Sequence, residues 1–309
     1  MKLRHGLPAS VVALSVLVAA AHAQYVEDSI DVGGSWVGSL AHNSREDVIY
    51  GASEDGIFFT ISCDSAKLLR SFPLQYAFKT AYDSTDNRAY CTFYSTQLDD
   101  SLLVVDGVTH TRIKSLAMDG ASVPVWDLVS DKLYVSCYSA NTVAVVDCAT
   151  DSLLTYIPVG AGPLEMYVNT LWRKLYVLNS DDGTVSIVNM ETNEVTKTLD
   201  VGGDPNAGYY CRKANKFYAG GSFRECVVIS GQSDTIVARV PLTGNVQVIS
   251  ATGNEDDGLV YLGGFIGSGD TWQLCQRRMT LCSRPLPSDE SLGALRTMHP
   301  ADCSTARRH

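Results

Sequence analysis

The residues that most often carry metal or proton chemistry are sparse in this chain. Histidine is the commonest metal ligand and proton shuttle near neutral pH, and only His42 and His110 lie between the N-terminal leader and the C-terminal tail defined below. They fall in different units of the sequence repeat described below. This separation excludes a zinc or copper centre built from several imidazoles. We interpret His110 as a solvated turn residue. The sequence also contains neither a Gly-x-Ser-x-Gly nucleophile motif nor a phosphate-binding glycine loop.

Cysteine is the second group of candidates, with nine residues in the chain. Those before the tail are Cys63, Cys91, Cys137, Cys148, Cys211 and Cys226. None has the close spacing of a zinc-binding pair. Cys211 and Cys226 fall in one repeat, on strands that a middle strand should separate. The pattern leaves two interpretations open, disulfide pairing and burial as small free thiols.

The composition is that of an acidic folded protein. The chain has 309 residues, of which 45% are hydrophobic and 19% charged, enough for a large core in one domain or two. Lys and Arg number 24 against 34 Asp and Glu, a net charge of -10. Such a field repels phosphate backbones and disfavours nucleic acid as a partner.

The N-terminus has the pattern of a secretory signal peptide. Lys2 and Arg4 give a basic start, an apolar run covers 9–20, and Ala21-His22-Ala23 is a small-residue cleavage site. We expect cleavage before Gln24. The apolar run is shorter than the roughly 20 residues that span a bilayer, so a membrane anchor is disfavoured and the mature chain has no predicted transmembrane segment. The expected location is secreted, periplasmic or at the cell surface.

The body of the chain repeats with a period near 42 residues. An apolar residue or Ala followed by Tyr recurs with spacings of 40, 44, 42, 42 and 43, at Tyr50, Tyr90, Tyr134, Tyr176, Tyr218 and Tyr261. A small turn-forming residue ends an apolar strand in the same phase, at Ser62, Asp106, Asp147, Asn189 and Ser230. Short alternating strands at this period predict an all-β fold, a β-propeller of four-stranded blades. The Tyr rows are interpreted as packing between blades.

One unit illustrates the expected strand order. After a turn at 160–163, the first strand covers 164–169 and the second 174–178. The third covers 184–188, and an outer edge strand that is polar at alternate positions covers 194–201. Each such sheet buries its faces only by stacking against its neighbours.

These repeats carry a resemblance to a known family. Lys132-Leu133-Tyr134-Val135, Lys174-Leu175-Tyr176-Val177 and the run Asn141 to Asp147 resemble the YVTN family of β-propeller repeats, over about residues 30 to 270. The resemblance implies a ring of about seven blades, whereas six Tyr marks are present, so a six- or seven-bladed ring is expected. Proteins similar to this are secreted or cell-surface propellers, and related ring folds include lactonases and quinone-dependent dehydrogenases.

That resemblance also implies where chemistry would occur. Lactonase-like propellers hold a divalent cation in the central channel with carboxylates and amides. Asp127 and Glu165 are the metal candidates here, because both follow a proline on a predicted inner strand. The fifth unit has Ala207 and Gly208 in the corresponding places, so an acidic ring is not maintained. No cofactor is expected, and a channel cation is the alternative.

The N-terminal segment resembles the end of an outer strand. Ile30-Asp31-Val32-Gly33-Gly34 matches Leu199-Asp200-Val201-Gly202-Gly203. A propeller ring is closed when such a strand completes the last blade, which removes two free sheet edges. We therefore predict an ordered N-terminal strand that closes the ring.

The domain prediction has three segments: a signal peptide at 1–23, propeller repeats at 24–271 and an atypical tail at 272–309. After Thr271 the expected apolar strand is replaced by Trp272-Gln273-Leu274-Cys275-Gln276-Arg277-Arg278. One interpretation is a divergent last strand with a disordered tail. The other is a shifted reading frame, since one G inserted after the Thr271 codon changes Trp-Gln to Val-Ala, as at Val143-Ala144.

Two classes of function are compatible with these features. The favoured one is a non-enzymatic binding scaffold for a protein, glycan or cell-surface component, because the repeats are intact and catalytic groups are absent. The alternative is an extracellular lactonase-like hydrolase or quinone-dependent dehydrogenase that uses the central channel. The sequence identifies no catalytic or cofactor-binding residue.

Overall fold

The computed structural model describes residues 29–34, 36–94, 101–222, 224–242, 246–254, 259–268 and 271–280. All regular elements of the described residues are β-strands, as the repeat pattern predicts. They lie in one compact unit, Asp31–Leu295. The signal peptide predicted at 1–23 and the tail beyond 280 fall outside the described residues. Within those residues there is no helix of the length and apolarity that a membrane span requires.

The strands form six antiparallel sheets in chain order, named sheets 1 to 6. Sheet 1 contains β1 (Val37–Asn43), β2 (Val48–Ser53), β3 (Ile57–Ser62) and β4 (Lys67–Pro73). Sheet 2 contains β5 (Tyr76–Asp83), β6 (Arg88–Tyr94), β7 (Ser101–Asp106) and β8 (Arg112–Ala117). Sheet 3 contains β9 (Ala121–Asp127), β10 (Lys132–Cys137), β11 (Thr142–Asp147) and β12 (Ser152–Pro158).

Sheets 4 and 5 follow the same plan and sheet 6 departs from it. Sheet 4 contains β13 (Pro163–Asn169), β14 (Lys174–Asn179), β15 (Thr184–Asn189) and β16 (Glu194–Asp200). Sheet 5 contains β17 (Pro205–Cys211), β18 (Lys216–Gly221), β19 (Glu225–Ser230) and β20 (Thr235–Pro241). In sheet 6 the described residues form three strands, β21 (Val246–Asn254), β22 (Leu259–Ser268) and β23 (Thr271–Thr280).

The core lies between consecutive sheets, as predicted from the Tyr rows. The first five Tyr marks are fully buried. Each packs against the next sheet: Tyr134 of sheet 3, for example, contacts a cluster that includes Met166 and Leu175 of sheet 4. Tyr176 stacks on Phe217 of sheet 5 with ring centroids 4.5 Å apart. The prediction that these rows are packing residues is confirmed for Tyr50, Tyr90, Tyr134, Tyr176 and Tyr218.

The first strands of consecutive sheets are neighbours, in the series β1, β5, β9, β13, β17 and β21. Propeller-like blades are consistent with this arrangement, but the described residues show no closed ring. Residues 29–34 form no strand, so the ring-closing strand predicted around Ile30 to Gly34 is not seen there. Blade closure and blade number stay predictions.

The start of the atypical tail is a strand in the structure. β23 pairs with β22 from Ser268↔Thr271 to Leu259↔Thr280. Residues 271–280 are therefore not excluded from the sheet, although the third strands of the other sheets have six residues and β23 has ten. A backbone ladder needs no particular side chains, which is why a strand forms there although the repeat pattern has ended.

Candidate functional site

Asp127 lies at the end of β9, where the chain turns into β10. Its Oδ1 accepts a hydrogen bond of 2.7 Å from Nη1 of Arg173, and Oδ2 accepts a second bond from Nη2. Ser130 donates a further one from its hydroxyl group. Burial alone would raise the pKa of Asp127, but these donors outweigh it and lower the pKa to about 2. The side chain joins sheet 3 to sheet 4 as an ion pair.

Glu165 lies two residues after Pro163 on β13, and its partner is a lysine of a sheet that is not its neighbour. Nζ of Lys79 on β5 lies 3.9 Å from Oε1 of Glu165. Burial raises the pKa of Glu165, and the charge of Lys79 opposes that rise. Asp127 and Glu165 thus have different cationic partners. Neither is part of a group of three potential metal ligands within the described residues.

The histidines have separate roles. His42 contacts the carboxylate of Asp47 at 3.2 Å on the surface. His110 occupies the turn predicted for it, with φ of 55°. It is not simply solvated, however, because its Nδ1 lies 3.3 Å from the hydroxyl group of Tyr50 in the preceding sheet. That contact could not be anticipated from a turn pattern, since it depends on how two sheets stack.

The cysteines divide into one bonded and several free residues. Cys211 is disulfide-bonded. Cys63, Cys91, Cys148 and Cys226 are free, and of these only Cys63 is exposed; Cys137 is buried. The expectation that a strand separates Cys211 from Cys226 agrees with the free state of Cys226. Burial raises the pKa of the Cys91 and Cys226 thiols, so these groups are inert.

A groove lined by aromatic and acidic side chains lies where sheets 1 and 2 meet. Its volume is about 330 Å³, and it is lined by Trp36, Glu54, Asp55, Tyr76, Ala77 and Phe78. The three aromatic side chains are between 38% and 66% exposed. Tyr94 extends this surface, with its ring centroid 6.1 Å from that of Tyr76. Exposed aromatic side chains grouped in this way are uncommon on a surface without a binding role.

Local backbone structure positions the groove. The turn between β2 and β3 is closed by a hydrogen bond of 2.8 Å from the Gly56 amide to the Ser53 carbonyl group. Gly56 has φ of 83°, a conformation in which a Cβ would collide with the carbonyl oxygen of Leu74. The amide of Glu54 donates to the carbonyl group of Trp36 at 3.0 Å. The turn therefore holds Trp36 beside the carboxylates of Glu54 and Asp55.

The groove lies at an acidic end of the sheets. Because consecutive strands are antiparallel, the turns after every second strand and the connections between sheets lie at one end. The acidic residues of those turns and connections, among the described residues, are Glu54, Asp55, Asp119, Asp181, Asp182 and Asp204, and the one basic residue in them is Arg224. This end therefore attracts cations and repels anions.

Sequence reasoning identified none of the groove residues. Trp36 gives no sequence signal of a binding site, because the tryptophans do not recur at the period of the repeat. Tyr76 and Phe78 open the first strand of sheet 2, at positions where the other sheets vary. The available signal was the combination of aromatic residues at a strand start with two acids in a turn, but their proximity depends on sheet stacking.

No family model matches the chain, and no curated protein matches it. The similarity to YVTN repeats rests on the repeat residues quoted above and stays a prediction.

Proposed function

We propose that the chain is a non-enzymatic binding protein that takes cationic side chains of a partner protein into the groove between sheets 1 and 2. The observation that carries this proposal is the aromatic surface of Trp36, Tyr76 and Phe78 beside the carboxylates of Glu54 and Asp55. Aromatic faces attract ammonium and guanidinium groups. Two carboxylates at the same groove supply the opposite charge.

The acidic end around the groove supports a cationic ligand over a neutral one. A neutral glycan would use the aromatic faces and donate hydroxyl hydrogen bonds to the carboxylates, but it would gain no charge attraction from the surrounding acidic turns. A lysine- or arginine-bearing segment uses both, and the net charge of -10 accelerates its encounter with the protein. The glycan therefore becomes an outcome of the test.

The test titrates the protein with two probes, an N-acetylated tetralysine amide and a neutral hexose oligosaccharide, by calorimetry at low and high salt. We expect tetralysine to bind, and to bind more weakly as salt rises. Trp36→Ala should abolish the heat of tetralysine binding, and the double variant Glu54→Gln/Asp55→Asn should weaken tetralysine binding at least tenfold. Trp172→Ala is the matched control, because that indole is exposed in a turn at the opposite end and should leave binding unchanged.

Two results would contradict the proposal. One is oligosaccharide binding without tetralysine binding, which would make the groove a sugar site. The other is equal loss in Trp36→Ala and Trp172→Ala, which would indicate nonspecific association. Thermal melting of each variant separates loss of binding from loss of folding.

The channel-based enzyme is the less supported alternative. A lactonase-like cation site would need carboxylates free to bind the ion, and both candidate acids have cationic partners. Asp127 is paired with Arg173, and Glu165 lies near Lys79.

We further propose that the protein acts outside the cytoplasm after cleavage before Gln24. The support is the basic, apolar and small-residue pattern of residues 2–23. Mass spectrometry of the protein from its native host should find Gln24 at the N-terminus. A retained Met1 would contradict export by this route.

A further inference from the structure

Neighbouring sheets are joined by a recurring pair of polar residues. The first residue of each pair ends the first strand of one sheet. The second is the positive-φ residue that ends the following sheet's first turn, as at Asn87 with φ of 53° and Asp131 with φ of 51°. In chain order the pairs are Asn43 with Asn87, Asp83 with Asp131, Asp127 with Arg173, and Asn169 with Asn215.

Three of these junctions match a donor with an acceptor. Nδ2 of Asn43 donates to Oδ1 of Asn87 at 3.0 Å. Nδ2 of Asn169 donates to Oδ1 of Asn215 at 3.2 Å, and Arg173 donates to Asp127. The junction between sheets 2 and 3 instead sets the carboxylate of Asp83 against that of Asp131. Two ionised carboxylates cannot bond to each other, so this junction needs a cation or a proton.

A thiol completes this junction and no other of the four. Cys148 follows β11 directly and offers its Sγ within 4.8 Å of a carboxylate oxygen of both Asp83 and Asp131. The equivalent residues at the other junctions are Gly107, Met190 and Gly231, which offer no strong metal ligand. Three groups able to bind a metal ion therefore coincide at the one junction of the four where neither paired side chain donates to the other, although the indole N–H of Trp126 donates to Oδ1 of Asp131 at 3.3 Å.

The Asp83 carboxylate has an unused, buried oxygen. Asp83 is fully buried. Its Oδ1 accepts hydrogen bonds from the amides of Thr85 and Asp86 at 2.6 and 3.2 Å. Its Oδ2 is shielded from solvent and receives no hydrogen bond from any described residue, and the same holds for Oδ2 of Asp86. Leaving such an atom unsatisfied is costly, which points to a ligand.

No described Lys or Arg forms an ion pair with Asp83 or Asp131. The guanidinium groups near this junction have other partners: Arg88 contacts Asp106 at 3.1 Å and Asp151 at 3.7 Å, and Arg45 donates to the carbonyl group of Thr85 at 3.2 Å. The other groups that face the junction are acidic or neutral: Asp86, Asp147, Asp151, Tyr90 and Trp126. Among the described residues, the Asp83 and Asp131 carboxylates thus have no cationic partner of their own.

We propose that this junction is a zinc site whose ligands are Asp83, Asp131 and Cys148. A thiolate with two carboxylates suits zinc, because calcium and magnesium select all-oxygen sites. Asp86, beside Asp131, is placed to supply a further oxygen. The half-exposed Asp86 and Asp131 give the ion a route from solvent. Binding displaces the Cys148 thiol proton to solvent, so affinity rises with pH.

The experiment measures zinc binding in a Cys63→Ser background, which removes the exposed His42, Asp47 and Cys63 cluster. Zinc at about 100 times its Kd should raise the Tm by roughly 5 °C relative to EDTA. Elemental analysis should find one bound zinc per chain. Cobalt should give a thiolate charge-transfer band, since only a thiolate ligand produces it.

Two variants decide the assignment. Asp131→Asn reproduces Asn87 and Asn215, so it should fold, melt higher than the parent in EDTA, and lose the zinc shift. Cys148→Ser should lose the cobalt band. An absent zinc shift in the parent together with a higher Tm of Asp131→Asn would overturn the proposal in favour of a shared proton, and a cobalt band that survives in Cys148→Ser would overturn the ligand assignment.

Discussion

The same position in two neighbouring sheets holds an aspartate with opposite properties. Asp83 and Asp127 both end a first strand and both cap the following turn. Burial, with the charges of Asp131 and Asp86, raises the pKa of Asp83 to about 6 despite bonds from Thr85 and Asp86 amides. Arg173 lowers that of Asp127 to about 2. The partner across the junction decides the pKa.

This difference predicts opposite pH dependences of stability. The pKa of Asp83 is higher in the folded state than in the unfolded state. Its protonated form therefore stabilises the fold below about pH 4, and this stabilisation is lost as the pH rises through 6. In EDTA, Asp83→Asn should therefore exceed the parent in stability at pH 7 by at most roughly 3 kcal/mol. Denaturant melts of both proteins from pH 3.5 to 7.5 measure this difference in stability. A difference that does not change with pH would contradict the prediction.

Asp127→Asn is the counterpart with the opposite sign. The Asp127 pKa is lower folded than unfolded, so its contribution is present above pH 4 and lost as pH falls towards 2. The variant should be less stable than the parent at pH 7 by about 3 kcal/mol, because it leaves Arg173 without its carboxylate. The gap should close in acid. If the stability difference between variant and parent instead grows in acid, a group other than Asp127 controls it.

At residue scale the sequence predicted the acids but not their register. Asp127 and Glu165 were placed together by counting from a proline. Pro163 is the first residue of β13, whereas Pro124 is the fourth residue of β9, so a count from proline reaches different positions in the two strands. Aligning the repeats on the last residue of the first strand would have paired Asp127 with Asn169 and exposed the junction residues.

At the scale of elements, the strands follow the predicted pattern within about a residue. In sheet 4 the predicted first strand 164–169 is Pro163–Asn169, and the outer strand alternates between half-buried and exposed residues. The prediction of strand positions succeeds because the alternation of polar and apolar residues and the turn residues are local signals. The stacking that forms the groove is not local, so no pattern within one sheet reveals it.

The turn after the third strand allows a prediction about backbone strain. The fourth residue after the third strand has positive φ in every four-stranded sheet: Ala66, His110, Asp151, Asn193 and Asp234. Ala66, with φ of 50°, is the poorest choice there, because Asn tolerates the left-handed region better. Ala66→Asn should raise the free energy of unfolding by about 0.5–1 kcal/mol.

Ala149→Asn is the matched control for that substitution. Ala149 is exposed in the equivalent turn of sheet 3, but it is not among the positive-φ residues. It should change stability by less than about 0.5 kcal/mol. Equal gains in both variants, measured by urea melts, would assign the effect to surface polarity instead of φ.

At the scale of the whole molecule, the described residues form five four-stranded sheets followed by one in which three strands are described. Sheet 6 is where the sequence leaves its repeat. The third strands of sheets 3 and 4 read TVAVVD and TVSIVN, whereas β23 reads TWQLCQRRMT. The reading-frame interpretation of this change stays a prediction.

Sequencing the 3′ end of the gene tests it. One G restored after the Thr271 codon should give Thr-Val-Ala, two apolar residues and then Ser or Pro. A further Tyr should follow about 42 residues after Tyr261, the period of the other units. The restored protein should melt higher, since it gains neighbour contacts. A stop codon or a non-repeating string in the shifted frame would contradict this.

The serial stacking of the sheets has a consequence for how the protein opens. Within the part of the chain that the structure describes, sheets 2 to 5 each have a neighbour on both sides of the series, while sheets 1 and 6 each have one. Opening an inner sheet breaks two interfaces and opening an end sheet breaks one, so the two cost different free energies. In native-state hydrogen exchange, amides of β10 and β14 should therefore exchange slowest and those of β2 and β22 fastest. Cleavage by a dilute protease should begin at the ends and proceed inwards, one sheet at a time.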